Sequence, residues 1–286
     1  MKAELAQVHE PDAAPRVRTI YDAIKQATGQ PGINLIWRHI ATAPDVLAWV
    51  WGTVGPAYAS GIIARESLQL SAELPKRRAL SEPPLADAIG APDDRAALMK
   101  IFAFYNGANP QNLLGMRLLA TMATMANDGS AMPSATSVAP DVDSPPRHRR
   151  QQQQPLPPLP RRDALDAATR EIVDRLAHRH GNSDAGVTPS LYLHLTLFPE
   201  ALAAADARLS TYVGTTEMAS DKAALLRAVD AALDRIVPTV SAAPDRPPAD
   251  ALDPFIAIAR AFTEATLPDL VLIGHHLCPP TKTDAD

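Results

Sequence analysis

The stretch Gly186–Ala203, GVTPSLYLHLTLFPEALA, restates Gly32–Ala48, GINLIWRHIATAPDVLA, and that restatement decides how the 286 residues are read. Setting Pro199 on Pro44 aligns Tyr192 with Trp37, His194 with His39, Leu195 with Ile40 and Leu202 with Leu47, without a gap. Upstream, IVDRLAHRHG (Ile172–Gly181) matches IYDAIKQATG (Ile20–Gly29). Each has helical apolar spacing and ends on a glycine suited to close a helix. Downstream, LPDLVLIG (Leu267–Gly274) answers NPQNLLG (Asn109–Gly115), both reading as a Pro-led helix start. A repeat of this length is too long for a solenoid unit. It points to a duplicated helical domain with a pseudo-twofold axis where a homodimer interface would otherwise lie.

Composition agrees with an all-α chain. It holds 28 prolines against 13 glycines, 46% apolar and 21% charged residues, with few aromatic or β-branched runs. The formal charge of -5 gives no basic footprint for nucleic acid or an anionic membrane. No apolar run is long enough for a transmembrane helix, and the N-terminus lacks a signal-peptide pattern, so a cytoplasmic location is expected. Cys278 stands alone and reads as a small apolar filler, which excludes dithiol chemistry.

Between the copies runs Ser130–Asp163, rich in Pro, Ser, Gln and Arg, which cannot build a core. The expected division is therefore residues 1–129, a linker over 130–163, and residues 164–286. PLPPLPRR (Pro155–Arg162) has the form of an SH3-type ligand, but a semi-rigid polyproline spacer is the preferred reading. A second Pro-rich piece, SAAPDRPPADALDP (Ser241–Pro254), reads as a loop matching SEPPLADAIGAPDD (Ser81–Asp94).

RVRTIYDAIKQATGQPGINLIWRHIATAPDVLAWVW (Arg16–Trp51), VGPAYASGIIARESLQL (Val54–Leu70), FYNGANPQNLLGM (Phe104–Met116) and VTPSLYLHLTLFPEALA (Val187–Ala203) together resemble the group I, non-stereospecific 2-haloacid dehalogenases. That family also carries the label halocarboxylic acid dehydrogenase. The resemblance covers most of the chain and implies an all-helical pseudodimer joined by a proline-rich linker and deeply knotted, of Stevedore type, against the usual rule that connections do not thread. It implies hydrolysis of a small 2-haloalkanoic acid to the 2-hydroxy acid with inversion. An aspartate activates a water that displaces halide directly, with no covalent intermediate, metal or organic cofactor. The expected ligand is a small carboxylic acid, and the protein a monomeric pseudodimer or a homodimer.

Carried over residue by residue, the resemblance places the water-positioning asparagine in YNGANPQNLL, with Asn109 best placed and Asn106 and Asn112 as rivals. The family's Ser–Asp pair falls on Ser190 and Leu191, so the carboxylate base is missing there; Asp184, in GNSDAGV, is a substitute only after a slip across Pro189. The family's Thr and Glu fall near Ser60 and Ala64, with Glu66 one turn round the helix as a stand-in or a solvated residue. Asn34 and Trp37 stand where members line the substrate pocket. His39 and His194 are expected to pack at the pseudo-twofold interface or to face solvent. His275 and His276 lack partners at metal spacing, and no P-loop, GxSxG or HExxH is present. Leucine cannot take a proton, which opens an alternative: a silent or repurposed member that binds a small carboxylic acid.

Overall fold

The computed structural model describes residues 5–74, 85–127, 156–179 and 187–278. Among them are eleven α-helices and no strand. They are α1 (Pro15–Thr28), α2 (Leu35–Ile40), α3 (Pro44–Ala59), α4 (Ile62–Glu73), α5 (Pro92–Asn127), α6 (Ala167–His178), α7 (Ser190–Leu195), α8 (Pro199–Tyr212), α9 (Thr216–Ile236), α10 (Ala249–Ala261) and α11 (Leu267–Leu277). Single 3₁₀ turns precede α1 (Glu10–Asp12) and α6 (Arg162–Ala164). The Asp166 carboxylate caps α6 by accepting from Thr169 N, and Thr215 caps α9 by accepting from Met218 N. No single helix among the described residues is long and apolar enough to cross a membrane.

Element bounds repeat along the chain. Helices α2 and α7 are each six residues long, and each is followed four residues later by a Pro-led helix. Both lie almost wholly inside the protein, so neither needs intrinsic helix propensity to form.

Helix α5 is the spine. At 36 residues it is about 54 Å long. It packs against α3, α4, α7, α9, α10 and α11, so one hydrophobic cluster draws on residues before and after the Pro-rich stretch Ser130–Asp163. The expected helix start at NPQNLLG is overturned: α5 runs straight through Pro110. Apolar residues on both sides of the proline, including Leu98, Ile101, Phe102, Leu113 and Leu114, are buried against neighbouring helices. That packing outweighs the loss of one helical hydrogen bond. The matching segment differs: LPDLVLIG opens α11 as expected, with Pro268 at the second position of the helix, directly after a π turn at Phe262–Thr266 that joins it to α10. In SAAPDRPPADALDP only the first part is a loop, since α10 begins at Ala249 and holds Pro254.

The described end of the Pro-rich segment is docked on the body of the protein, where Leu156 and Leu159 pack on the core. Residues 130–155, with the Gln run, lie outside the described residues.

One close approach holds α5 against α3. Gly115 lies under the Tyr58 hydroxyl, which donates to the Gln111 carbonyl at 2.8 Å, and a Cβ at Gly115 would overlap that hydroxyl. Because Tyr58 is buried and rigid, Gly115→Ala is expected to cost about 1–3 kcal/mol. The check is a thermal melt showing Tm several degrees lower; an unchanged Tm would contradict the packing. Elsewhere Glu66, expected to stand in the site or in solvent, is 1% exposed and pairs with Arg235 of α9 at 2.6 Å. Helix α4 packs on α9, so this carboxylate is used to join two helices.

Candidate functional site

Helices α2 and α7 bring their first residues to one small cavity of about 30 Å³, room for one or two waters. Asn34, Leu35 and Ile36 come from α2 and the residue before it; Pro189, Ser190 and Leu191 come from α7 and the residue before it. Tyr105 and Asn109, one helical turn apart on α5, form a third wall. Phe262, Thr266, Leu267 and Leu270 close the cavity from the π turn and α11. Both helix irregularities thus border it, Pro110 directly after Asn109 and the π turn opposite.

The polar groups are incompletely satisfied. Asn34 Nδ2 donates to Asn109 Oδ1 at 3.3 Å. Asn34 Oδ1, Asn109 Nδ2 and Thr266 Oγ1 are buried without a partner. Buried amides and hydroxyls left so cost about 1–3 kcal/mol each. One acceptor, one donor and one hydroxyl around so small a space can be satisfied together by a water or a small polar ligand.

Behind Ser190 lies a buried cation. Arg38 is 7% exposed, and no carboxylate among the described residues lies within ion-pair distance of it. Its Nε donates to Gln7 Oε1 at 2.9 Å, one terminal nitrogen donates to the Ile33 carbonyl, and the other donates to Ser190 Oγ at 3.0 Å. Glu10 is the acidic group nearest in effect, but its oxygens take Lys25 Nζ and Ile33 N. Burial pushes the Arg38 guanidinium down from its ordinary value, although an arginine keeps its charge. Three of its five N–H groups are used. Arg38 lines two clefts that adjoin the cavity through Ser190, one framed by Leu159–Asp163 and Thr188, the other by Asn34, Tyr105 and His194.

Next to Ser190 is Tyr105, whose hydroxyl lies 2.7 Å from His194 Nδ1. Burial raises the phenol pKa, while the Arg38 charge and the Ser190 hydroxyl pull it back. His194 Nε2 lies 3.1 Å from the Pro157 carbonyl. Burial lowers the imidazole pKa, the Pro157 carbonyl opposes that, and the Arg38 charge adds to it.

Of the residues expected from sequence, Asn109, Asn34, Ser190 and Leu191 meet at this cavity. Trp37 does not line it. It is 1% exposed, stacks edge-on to Trp51 and Tyr58, and donates from Nε1 to Asn112 Oδ1 at 2.7 Å. That bond also removes Asn112 from contention, and Asn106 is tied to the carbonyls of Gly274 and Cys278. Ser60 is exposed at the end of α3, where its hydroxyl donates to the Ala57 carbonyl. Asp184 lies outside the described residues. His39 and His194 both lie buried under the segments preceding their helices, on the carbonyls of Ala6 and Pro157. Cys278, read as a small apolar filler, is half-buried at the end of α11 and packs against the hydrophobic core. No group of three metal-binding side chains occurs among the described residues.

Arg38 and Tyr105 were missed in the sequence. In LIWRHI the arginine reads as the polar side of a short helix. Its burial depends on residues 5–12 folding back over it, where Val8 N donates to the Arg38 carbonyl.

No protein-family model matches the sequence, and no curated protein does. Among solved structures, the chain is similar to a D-2-haloacid dehalogenase mutant in complex with D-2-CPA, at a TM-score of 0.76 and 17% identity, covering 96% of this chain and 95% of that one. It is equally similar to a D-2-haloacid dehalogenase in complex with L-LA, at 0.76 and 17%, covering 96% of each. A further mutant aligns at 0.77 and 18%, over 96% and 95%. The chain therefore shares the all-helical fold of these dehalogenases over the 96% that aligns.

Proposed function

We propose that this chain is a 2-haloacid dehalogenase-like hydrolase, in which a water held by Asn109 displaces halide directly from a small 2-haloalkanoic acid, without a covalent intermediate or a cofactor. The observation that carries the reading is a buried Asn109 amide without an acceptor in the cavity, beside the Arg38 cation in the clefts that adjoin it through Ser190, with no carboxylate in ion-pair range of that cation among the described residues. Asn109 Nδ2 donates to the water and Asn34 Oδ1 accepts from it. The substrate carboxylate sits toward Arg38 and Ser190, which places its C2 carbon over the held water. Leu191, Leu267 and Leu270 provide the apolar wall that strips solvent from that carbon.

The same reading takes the matching bounds of α2 with α7, and of the Pro-led helices after them, as the trace of a duplication. Residues 1–129 and 164–286 are then the two copies and 130–163 the joint. The group I assignment, the knot, a monomeric or homodimeric state and a cytoplasmic setting belong to this proposal. So does the purely structural role of the Pro-rich joint, to which the docking of Leu156 and Leu159 adds support.

A second reading has its own observation. Leu191 stands in the cavity wall where the resemblance puts an aspartate, and no carboxylate among the described residues lines the cavity. A protein that only binds a small carboxylic acid would fit that. The two readings separate on halide release by the purified protein from each enantiomer of 2-chloropropanoate and 2-bromopropanoate. We expect release, reduced by about 100-fold or more in Asn109→Ala because a displaced water loses its line of attack. Stabilisation by these acids without release would favour the binding protein.

A further inference from the structure

The base absent at Leu191 has a structural substitute. We propose that the Tyr105–His194 pair withdraws the proton from the water in the cavity, Tyr105 as the catalytic residue and His194 as the group that drives it. The inference rests on the hydrolase reading above and supplies the step that reading lacks.

Hydrogen-bond direction fixes the tautomer of His194. A backbone carbonyl can only accept, so in the neutral ring Nε2 carries the hydrogen given to Pro157. Nδ1 is then an acceptor, and the Tyr105 hydroxyl must donate to it across 2.7 Å. The phenol oxygen is left with its lone pairs facing Ser190, which shares the cavity wall with it. Ser190 in turn accepts from Arg38. The result is a directed chain, Arg38 to Ser190 to Tyr105 to His194, with a cation at one end and a basic ring nitrogen at the other.

The step balances. As the water oxygen forms its bond to C2 and the carbon–halogen bond breaks, halide leaves with the bonding electron pair. The water proton moves to the Tyr105 oxygen while the Tyr105 proton moves to His194 Nδ1. The products are the 2-hydroxy acid, halide and an imidazolium. Tyr105 is never a free phenolate, which its buried position would resist. The imidazolium returns its proton through the cleft that His194 lines.

The groups around His194 agree with this role. Tyr105 faces it from α5, Arg38 acts on it from α2, and the Pro157 carbonyl faces it from the docked segment. The adjoining cleft also carries His9, Glu10, Asp12 and Arg161. Burial and the Arg38 charge keep the ring neutral, which is the form able to take a proton.

The test measures halide release against pH for wild type, Tyr105→Phe and His194→Gln, with 2-chloropropanoate affinity measured by calorimetry on each. Wild-type release is expected to rise with pH and to reach half its maximum below 6.5, the ordinary imidazole value. Both variants should lose about 100-fold or more in rate, and the acid limb with it, while keeping affinity within a few-fold. Tyr105→Phe keeps the ring and its packing, so it remains informative if His194→Gln fails to fold. A variant that keeps both rate and acid limb overturns the relay but leaves the hydrolase reading standing. Binding without release by the wild type overturns the relay and leaves the binding-protein reading. Neither binding nor release overturns both.

Discussion

Replacing Arg38 by methionine is expected to weaken the binding of 2-chloropropanoate by at least about 30-fold, because removing one partner of a buried, hydrogen-bonded charge pair costs about 2–5 kcal/mol. Methionine fills much of the same space and cannot pair with a carboxylate. In the unliganded protein two effects oppose each other. A buried charge with no acidic partner is removed, which favours the variant. The acceptors at Gln7, Ile33 and Ser190 lose their donor, which disfavours it. The melting temperature should therefore move by only a few degrees while calorimetric affinity collapses. Affinity unchanged in the variant would remove Arg38 from the site.

Leu191→Asp has the second large effect, and it runs toward gain. The side chain at 191 shares the cavity with Asn109, and the resemblance places an aspartate there. Introduced into Tyr105→Phe, it should raise halide release by about 100-fold or more, since it supplies a base that needs neither Tyr105 nor His194. The substitution puts an ionisable group where Leu191 is 1% exposed, and a loss of about 3 kcal/mol in stability is expected. Halide release, a melting curve and ligand affinity on the single and double variants distinguish a failed base from a failed fold. A folded, ligand-binding double variant with no gain would show that position 191 does not face the reacting water.

How much of this could be read from the sequence depends on whether a residue's role was local. The helix entries at Leu35 and Ser190, their alignment through Pro44 and Pro199, and the all-helical class follow from spacing and composition. Asn34, Asn109, Ser190 and Leu191 were singled out by the resemblance, which fixed their register, and these four line one cavity. Pro110 misled for a physical reason: local propensity makes a proline a helix boundary, but burial on both sides of it kept the helix going, whereas Pro268 does stand in the first turn of α11 as its pattern implied. Trp37 was placed in the pocket by pattern, whereas its indole N–H is satisfied by Asn112, seventy-five positions away. Glu66 looked solvated because its partner, Arg235, lies on a helix far along the chain. Arg38 and Tyr105 carry the site's charge and its proton path, yet neither stands in a recognisable motif. Their meaning arises only when α2, α5 and α7 meet.

That meeting also gives Leu191 an interpretation. The cavity has no carboxylate of its own among the described residues, but the clefts adjoining it hold a cation that can orient an acid, and its wall holds a tyrosine whose hydroxyl lies 2.7 Å from a histidine nitrogen. On the proposed mechanism these, together with the Asn109 amide, are what direct displacement by water uses.

The most direct test is a single turnover of one enantiomer of 2-bromopropanoate in heavy-oxygen water, followed by analysis of the 2-hydroxypropanoate formed. The account predicts that the first product molecules already carry solvent oxygen at C2 and have the inverted configuration. A first-turnover product whose new oxygen comes from the protein, or no hydroxy acid at all from an enzyme shown to bind the substrate, would contradict it.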